Sequence, residues 1–349
     1  MIIQDSWLRK LWESVIRMNR INLDSLRKDK GFIERFGIED KEEFSVLGQG
    51  EYNINYIFNS KTYNKKLVLR IATNSQMDLN NQIRYEHEAL ELLNKTNRTP
   101  KSIYCDDRKE IIPYGFLVME YLPGNHLNYK KDLKFAAEAL ADIHNESIPK
   151  TNNLIKPENP IEAIYEECLK MFEKYKISKY MDVNTKDNIE YLLEKGKNIK
   201  TIDIGNRTII NTELNSGNFL INGEEDNNYI VDWEKPLYGY PAQDLGHFLA
   251  PTTTFWKTDV ILSREEVSFF IKEYCENSNQ YKDERELWNS VKNYLSMNCL
   301  RGITWCAMAY VEYQDPDKLI SNDYTYRKIK TYLSWEFLNR IKEEYLNEY

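Results

Sequence analysis

Three oxygen-bearing side chains in the stretch Arg207–Glu234 (RTIINTELNSGNFLINGEEDNNYIVDWE) have the types and spacing for cation chemistry. Phe219-Leu220-Ile221 and Tyr229-Ile230-Val231 are short β-branched or aromatic runs joined by a turn containing Asn222-Gly223, the pattern of a hairpin. With Phe219 opposite Val231, Asn218 and Asp232 stand across from each other at the open end, where antiparallel neighbours lie about 5 Å apart. An amide oxygen and a carboxylate converging there could seat Mg²⁺, a hard cation that takes oxygen ligands and keeps one or two carboxylates per site. Glu213 lies in the polar loop after the strand Thr208-Ile209-Ile210 and could face the same space. A carboxylate beside a metal held by Asn and Asp is an arrangement that phosphoryl transfer uses.

The rest of the chain must position those groups. Its 349 residues, 42% of them hydrophobic, leave room for two lobes and a substantial core. With 47 basic against 55 acidic residues the net charge is −8, interspersed along the chain, which argues against a nucleic-acid partner. Cys105, Cys168, Cys275, Cys299 and Cys306 form no C-x-x-C pair and read as reduced, buried thiols rather than a zinc site. No run approaches the roughly 18 apolar residues of a membrane span, and no signal peptide is visible. A cytoplasmic protein with no membrane partner is the expectation.

Trp7, Leu8, Leu11, Trp12, Val15 and Ile16 recur at helical spacing, so residues 1–30 predict a helix, broken by Gly31 and Gly37. Phe44–Leu47, the turn Gly48-Gln49-Gly50-Glu51-Tyr52-Asn53, and Ile54–Phe58 predict two strands around a glycine-containing cover for anionic oxygens. Leu67–Ile71 is a strand carrying one cation, Arg70. The side chain points to solvent if the strand is at an edge and reaches phosphate if it is on the inner face. A helix over Gln82–Leu93 brings Glu86 and Glu88 within reach of Arg70. Pro100–Lys109 reads as a loop, Gly115–Glu120 as a buried strand, and Tyr121-Leu122-Pro123-Gly124 as a boundary. Beyond it the pattern is helical: Leu133–His144, two helices within 160–200, a turn at Tyr240–His247 entering another, and the last stretch with Trp288, Trp305, Tyr310, Tyr313, Trp335 and Phe337. His144 reads as a hydrogen-bonded structural residue.

In their order these motifs resemble the aminoglycoside phosphotransferase and choline kinase superfamily over roughly residues 40–320. The resemblance implies an α+β, bilobal, protein-kinase-like fold. It implies an N-terminal helical extension (1–40), a β-rich nucleotide lobe (41–122) and a larger helical lobe (123–349). GQGEYN takes the place of the glycine-rich loop, with Gly48, Gly50 and Asn53 near phosphates. Arg70 stands where protein kinases use Lys, Glu88 looks like its helix partner, and the backbone at Glu120, Tyr121 and Leu122 would read the adenine edge. The family's H-x-D-x-x-x-x-N loop is matched by Asn211-Thr212-Glu213-Leu214-Asn215-Ser216-Gly217-Asn218. Asn218 and Asp232 would be the metal ligands and Asp244 a loop anchor. Asn211 replaces the family's His, and Glu213 its catalytic Asp. The implied reaction is ATP- and Mg²⁺-dependent phosphorylation of a hydroxyl on a small, amine-bearing molecule, with GTP as the other donor and Glu234 and Trp256 lining the acceptor side. The alternative is a nucleotide-binding pseudokinase with a regulatory role. A protein kinase is disfavoured, because WEKPLYGYPAQDLG leaves little length for an activation loop and no A-P-E-like segment follows.

Overall fold

A computed structural model of the chain describes residues 21–39, 44–50, 52–75, 77–202, 205–315, 323–347 and 349. Of the helix expected over residues 1–30, residues 1–20, with Trp7 to Ile16, lie outside the described residues, and the remainder holds only a short helix, Asp24–Lys28, that ends at Asp29. The chain divides into two units, Met1–Arg84 with Ile103–Tyr121, and Tyr85–Ser102 with Leu122–Tyr349. The first is built on a sheet and the second mainly on helices, an α+β architecture.

In the first unit α1 (Asp24–Lys28) and α2 (Lys30–Phe36) precede β1 (Ser45–Gln49), β2 (Asn53–Ser60), β3 (Lys65–Ala72), β4 (Ser102–Asp106) and β5 (Gly115–Glu120). The Asp29 side chain caps α2 by accepting the Phe32 N–H at 2.7 Å, so Gly31 lies inside that helix and does not break it. Gly37, at φ 60°, ends it in the left-handed region that glycine tolerates. The strands run β1-β2-β3-β5-β4. Side chains alternate between faces: Leu67, Leu69 and Ile71 of β3, Tyr56 and Phe58 of β2, and Phe116 and Val118 of β5 enter one core with Phe32 and Phe36. Phe32 meets Phe36 at 4.9 Å and Phe116 edge-on at 5.8 Å. The residues between them, including Asn53, Asn55, Val68 and Arg70, take the opposite face. Ser102–Asp106, expected as a loop, is an edge strand: Ile103 and Tyr104 pack against the same core, and that burial outweighs the polar residues around them.

Helix α3 (Gln82–Leu93) begins in the first unit and continues into the second, whereas the sequence reading places all of it in the first. Tyr85 accounts for the difference, since its hydroxyl donates to Pro236 O at 2.6 Å and accepts from Ile155 N at 3.0 Å, both in the second unit. That unit holds β6 (Asn125–His126), α4 (Leu133–His144), α5 (Pro160–Lys176), α6 (Val183–Gly196), β7 (Thr208–Ile210), β8 (Phe219–Ile221), β9 (Tyr229–Ile230) and β10 (Leu237–Gly239). It continues through α7 (Pro241–Leu249), α8 (Pro251–Thr258), α9 (Arg264–Asn277), α10 (Glu284–Glu312), α11 (Asp323–Tyr332) and α12 (Trp335–Ile341). Two small sheets, β10-β7 and β6-β8-β9, carry the loop of interest between them in sequence.

Among the described residues no helix is long and apolar enough to cross a membrane. The five cysteines are free, and all but Cys105 are buried.

Two glycines let α7, α8 and α10 approach closely enough to hold the loop's supports. A Cβ on Gly246 of α7 would lie 2.6 Å from Tyr294 Cβ and 2.7 Å from Leu295 N, and one on Gly302 of α10 would lie 2.6 Å from Thr252 Cβ. Gly246→Ala must therefore push α7 off the α10 backbone. It is expected to cost about 1–3 kcal/mol, the range for overpacked cores, read as a lowered denaturation midpoint. An unchanged midpoint would show that the two helices separate without penalty.

Candidate active site

In the second unit the loop after β7 is suspended from Asp244, on the first turn of α7. Pro241 opens that helix at a position where its missing N–H costs nothing. The fully buried Asp244 carboxylate accepts the Asn211 N–H and the Thr212 N–H, each at 2.7 Å, one on each oxygen. His144 Nε2, at the end of α4, lies 3.3 Å from Asp244 Oδ2, and its Nδ1 is 3.0 Å from the Tyr274 hydroxyl. The loop is thereby bent enough to hold Thr212 at φ 70°, a left-handed conformation that a β-branched residue rarely adopts. The Thr212 hydroxyl donates to Lys235 O at 2.8 Å, which fixes that conformation from the other side.

Asn211, standing where the family pattern has His, uses both ends of its amide. Nδ2 donates to Asp232 O at 2.9 Å and Oδ1 accepts the Glu213 N–H at 3.1 Å. It therefore ties the loop to the segment that carries Asp232.

The hairpin register differs by one residue from the expectation. Phe219 lies opposite Ile230 and not Val231, and the Val231 N–H bonds Asn218 O at 2.8 Å. A slip of one residue turns every following side chain to the other face of a ladder. Asp232 leaves that alternation, because its φ of 65° takes the chain out of the strand. The shift originates in the connection. Asn228 Oδ1 accepts from both Asn222 N (2.8 Å) and Gly223 N (3.1 Å), so a side chain closes the turn.

Asn218 ends a 3₁₀ turn over Ser216–Asn218, started by Asn215, whose side chain accepts the Gly217 N–H. Its amide Nδ2 donates to Glu213 O at 2.8 Å, which points the donor inward, and among the described residues Oδ1 accepts no hydrogen bond. That oxygen suits a hard cation. No group of three or more His, Cys, Asp or Glu able to hold a metal occurs among the described residues. An amide with a single carboxylate fits Mg²⁺, which keeps several of its waters.

Glu213 is partly exposed and pairs with Lys235, Nζ to Oε1 at 3.1 Å. Burial works against its ionisation, yet Lys235 and Arg301, helped by the Lys235 hydrogen bond and His247, hold its carboxyl below the usual glutamate range. Arg301 on α10 is itself held by Glu167 on α5, at 2.9 and 3.3 Å in a forked pair. His247 Nδ1 is 3.2 Å from Asn298 Oδ1, and Asn298 Nδ2 donates to Tyr294 O at 2.9 Å. The amide thus faces His247 with its oxygen, so Nδ1 carries the proton and Nε2 the lone pair. Burial, then Arg301, push the His247 pKa down to about 4, so the ring is neutral at pH 7.

On the acceptor side of the family pattern, Glu234 is partly exposed. The Trp256 ring packs edge-on against Trp305 at 5.3 Å and Tyr332 at 5.6 Å. Lys257, beside it, brings Nζ to 3.3 Å from the position a Cβ on Gly217 would take. Glu88 of α3 accepts from Asn153 Nδ2 at 3.0 Å, whereas Glu86, two positions earlier and on the other side of the helix, is buried.

In the first unit Arg70 is on β3, flanked by β2 and β5, and is 3% exposed, so the edge-strand reading fails. It pairs across the ladder with Asn55, and its Nη1 donates to Asn53 Oδ1 at 3.3 Å. Gly48 lies within β1 at a bulge, where Val46 faces Tyr56 and Gly48 faces Asn55, while Gly50 N bonds Asn53 O at 3.0 Å. Glu120 ends β5 in an ion pair with Lys65 at 2.6 Å, Tyr121 is 39% exposed, and Leu122 opens the second unit.

Sequence reasoning did not find Thr212, Lys235, His247, Asn298 or Arg301. Lys235 carried a signal, a cation three positions beyond Asp232. Arg301 and Asn298 carried none, since only the packing of α7 on α10 brings them into play.

A five-stranded sheet unit and a mainly helical unit make up an α+β, protein-kinase-like fold. The chain belongs to the phosphotransferase enzyme family, whose model matches residues 43–286, more than half of its length. It is similar in fold to choline kinase from Cryptosporidium parvum (13% identity, TM-score 0.61, covering 93% of this chain and 96% of that one). A spectinomycin phosphotransferase solved with ADP and spectinomycin is also similar (15%, 0.60, 89% and 95%), as is Plasmodium vivax ethanolamine kinase (15%, 0.58, 86% and 85%). No curated protein matches the chain.

Proposed function

We propose that the protein transfers the terminal phosphoryl group of ATP to a hydroxyl of a small, amine-bearing molecule, with Mg²⁺. The observation that carries this reading is the Asn218 amide: its donor is committed to Glu213 O and its oxygen is left for a cation, beside a segment that carries Asp232. Mg²⁺ held by Asn218 and Asp232 would neutralise phosphate charge. Glu213, ionised and oriented by Lys235, accepts the hydrogen bond of the acceptor hydroxyl and takes its proton as the phosphate is transferred. Arg70 supplies a fixed cation for phosphate, together with Gly48, Gly50 and Asn53. Glu120, Tyr121 and Leu122 contact the adenine edge. Glu234 is the carboxylate for a cationic nitrogen, and choline, ethanolamine and spectinomycin, named for the fold neighbours, each carry a quaternary or basic nitrogen.

The second reading, a nucleotide-binding regulatory module, rests on Glu213 in place of Asp. Binding of Mg·ATP measured by calorimetry, followed by ³²P transfer to choline, ethanolamine and spectinomycin, separates the two. Transfer that EDTA and Asp232→Asn both remove is expected. Tight Mg·ATP binding with neither transfer nor ATP hydrolysis would establish the regulatory reading instead.

A further inference from the structure

Three consecutive loop residues are each fastened to the short segment that follows β9: Asn211 through its amide to Asp232 O, Thr212 through its hydroxyl to Lys235 O, and Glu213 through its carboxylate to Lys235 Nζ. Lys235 is therefore bound to the loop twice, once by its backbone and once by its side chain, and that side chain is only 14% exposed. We infer that Lys235 is the positioning residue for Glu213, holding the longer carboxylate where a shorter aspartate would otherwise have to stand.

The inference rests on the phosphotransferase reading of the same loop. A glutamate carboxyl stands about 1.5 Å further from its backbone than an aspartate carboxyl and turns about one more bond. Left unheld, it would sample positions spread over more than the roughly 1 Å of misplacement that can cost about 100-fold in rate. Among the described residues, Arg301 of α10 and His247 of α7 also act on Glu213. Arg301 is forked onto Glu167 and His247 Nδ1 bonds Asn298, whereas Lys235 bonds the Glu213 carboxylate directly. Because Lys235 and Asp232 share one short segment, the same device sets the carboxylate against the metal-ligand side of the site. The Glu213–Lys235 pair thus acts as a unit in which the lysine compensates for the extra methylene.

A double-mutant cycle tests this in two readouts. In thermal denaturation, which needs no turnover, Lys235→Met and Glu213→Gln should each lower the midpoint, and the double variant should lose clearly less than their sum. In Mg·ATP turnover, with water or the best of the three amines as acceptor, Lys235→Met should lower kcat roughly 10- to 100-fold and leave KM for ATP within about twofold. Lys235→Arg should recover most of the loss. In a Glu213→Asp background Lys235→Met should change kcat by less than about twofold, since the shorter side chain no longer reaches Nζ. Additive midpoints overturn the pair. Equal losses of kcat in the wild type and the Glu213→Asp background overturn the positioning role, because a merely structural lysine would matter in both. Were the wild type to bind Mg·ATP and turn over nothing, the phosphotransferase reading would fall, and the midpoint cycle would still decide the pair by itself.

Discussion

Glu213→Gln is expected to lower kcat for phosphoryl transfer by about 10²- to 10⁴-fold, the range that general-base assistance supplies. That corresponds to roughly 3–5 kcal/mol of transition-state stabilisation. The substitution keeps the shape of the side chain and one oxygen that can accept from Lys235 Nζ. It removes the charge that Lys235 and Arg301 sustain and the ability to take a proton. The loop itself hangs from Asp244 and Asn211 through backbone groups, so it should survive, and Mg·ATP affinity should change little. Single-turnover transfer alongside calorimetric binding reads both. A kcat within about threefold of the wild type would mean that Glu213 contributes less than 1 kcal/mol, too little for a base.

Asp244→Ala should cost far more in stability than any substitution of a solvent-facing group. Its carboxylate is fully buried and meets three donors: two backbone N–H groups and His144. Removing it leaves all three without that partner in a place water does not reach. Deleting one member of a buried, hydrogen-bonded charge set typically costs about 3–5 kcal/mol. Urea denaturation should show that loss. Asp244→Asn should lie in between, because one carbonyl oxygen still accepts while the new amide presents a donor to a donor. If Asp244→Ala denatured within about 0.5 kcal/mol of the wild type, the suspension of the loop from α7 would carry no weight.

The amphipathic helices Gln82–Leu93 and Leu133–His144 were legible to the residue, since helical periodicity and its breakers are local signals. That Asn218 and Asp232 flank one hairpin was legible as well, because strand runs and an Asn-Gly turn bracket it; that they stand opposite each other was not, since Asn218 meets Val231. The register was not. It depends on Asn228 closing the turn through its side chain, a choice that alternation of apolar residues does not encode. Likewise the strand Ser102–Asp106 is decided by the aromatic core that Tyr104 can join, not by its own composition. Arg70 left two readings open in the sequence. Only the strand order, with β3 inside the sheet, decides between them. The neutral His247 and its partner Asn298 come from helices whose proximity depends on Gly246, and nothing in the local pattern of either helix announces the other.

Thr212 and Asp232 both hold left-handed backbone conformations without being glycine. Each such residue costs of order 1–3 kcal/mol and persists only where its surroundings over-determine it. Neither conformation can be held until Asp244, Asn211 and Lys235 are already in place around them. The two strained residues therefore lean on the same three anchors, so loss of any one of them should relax Thr212 and Asp232 together. Damage to a single anchor would reach the carboxylate of Glu213 and that of Asp232 at once, making the loop and the segment after β9 one mechanical element rather than two.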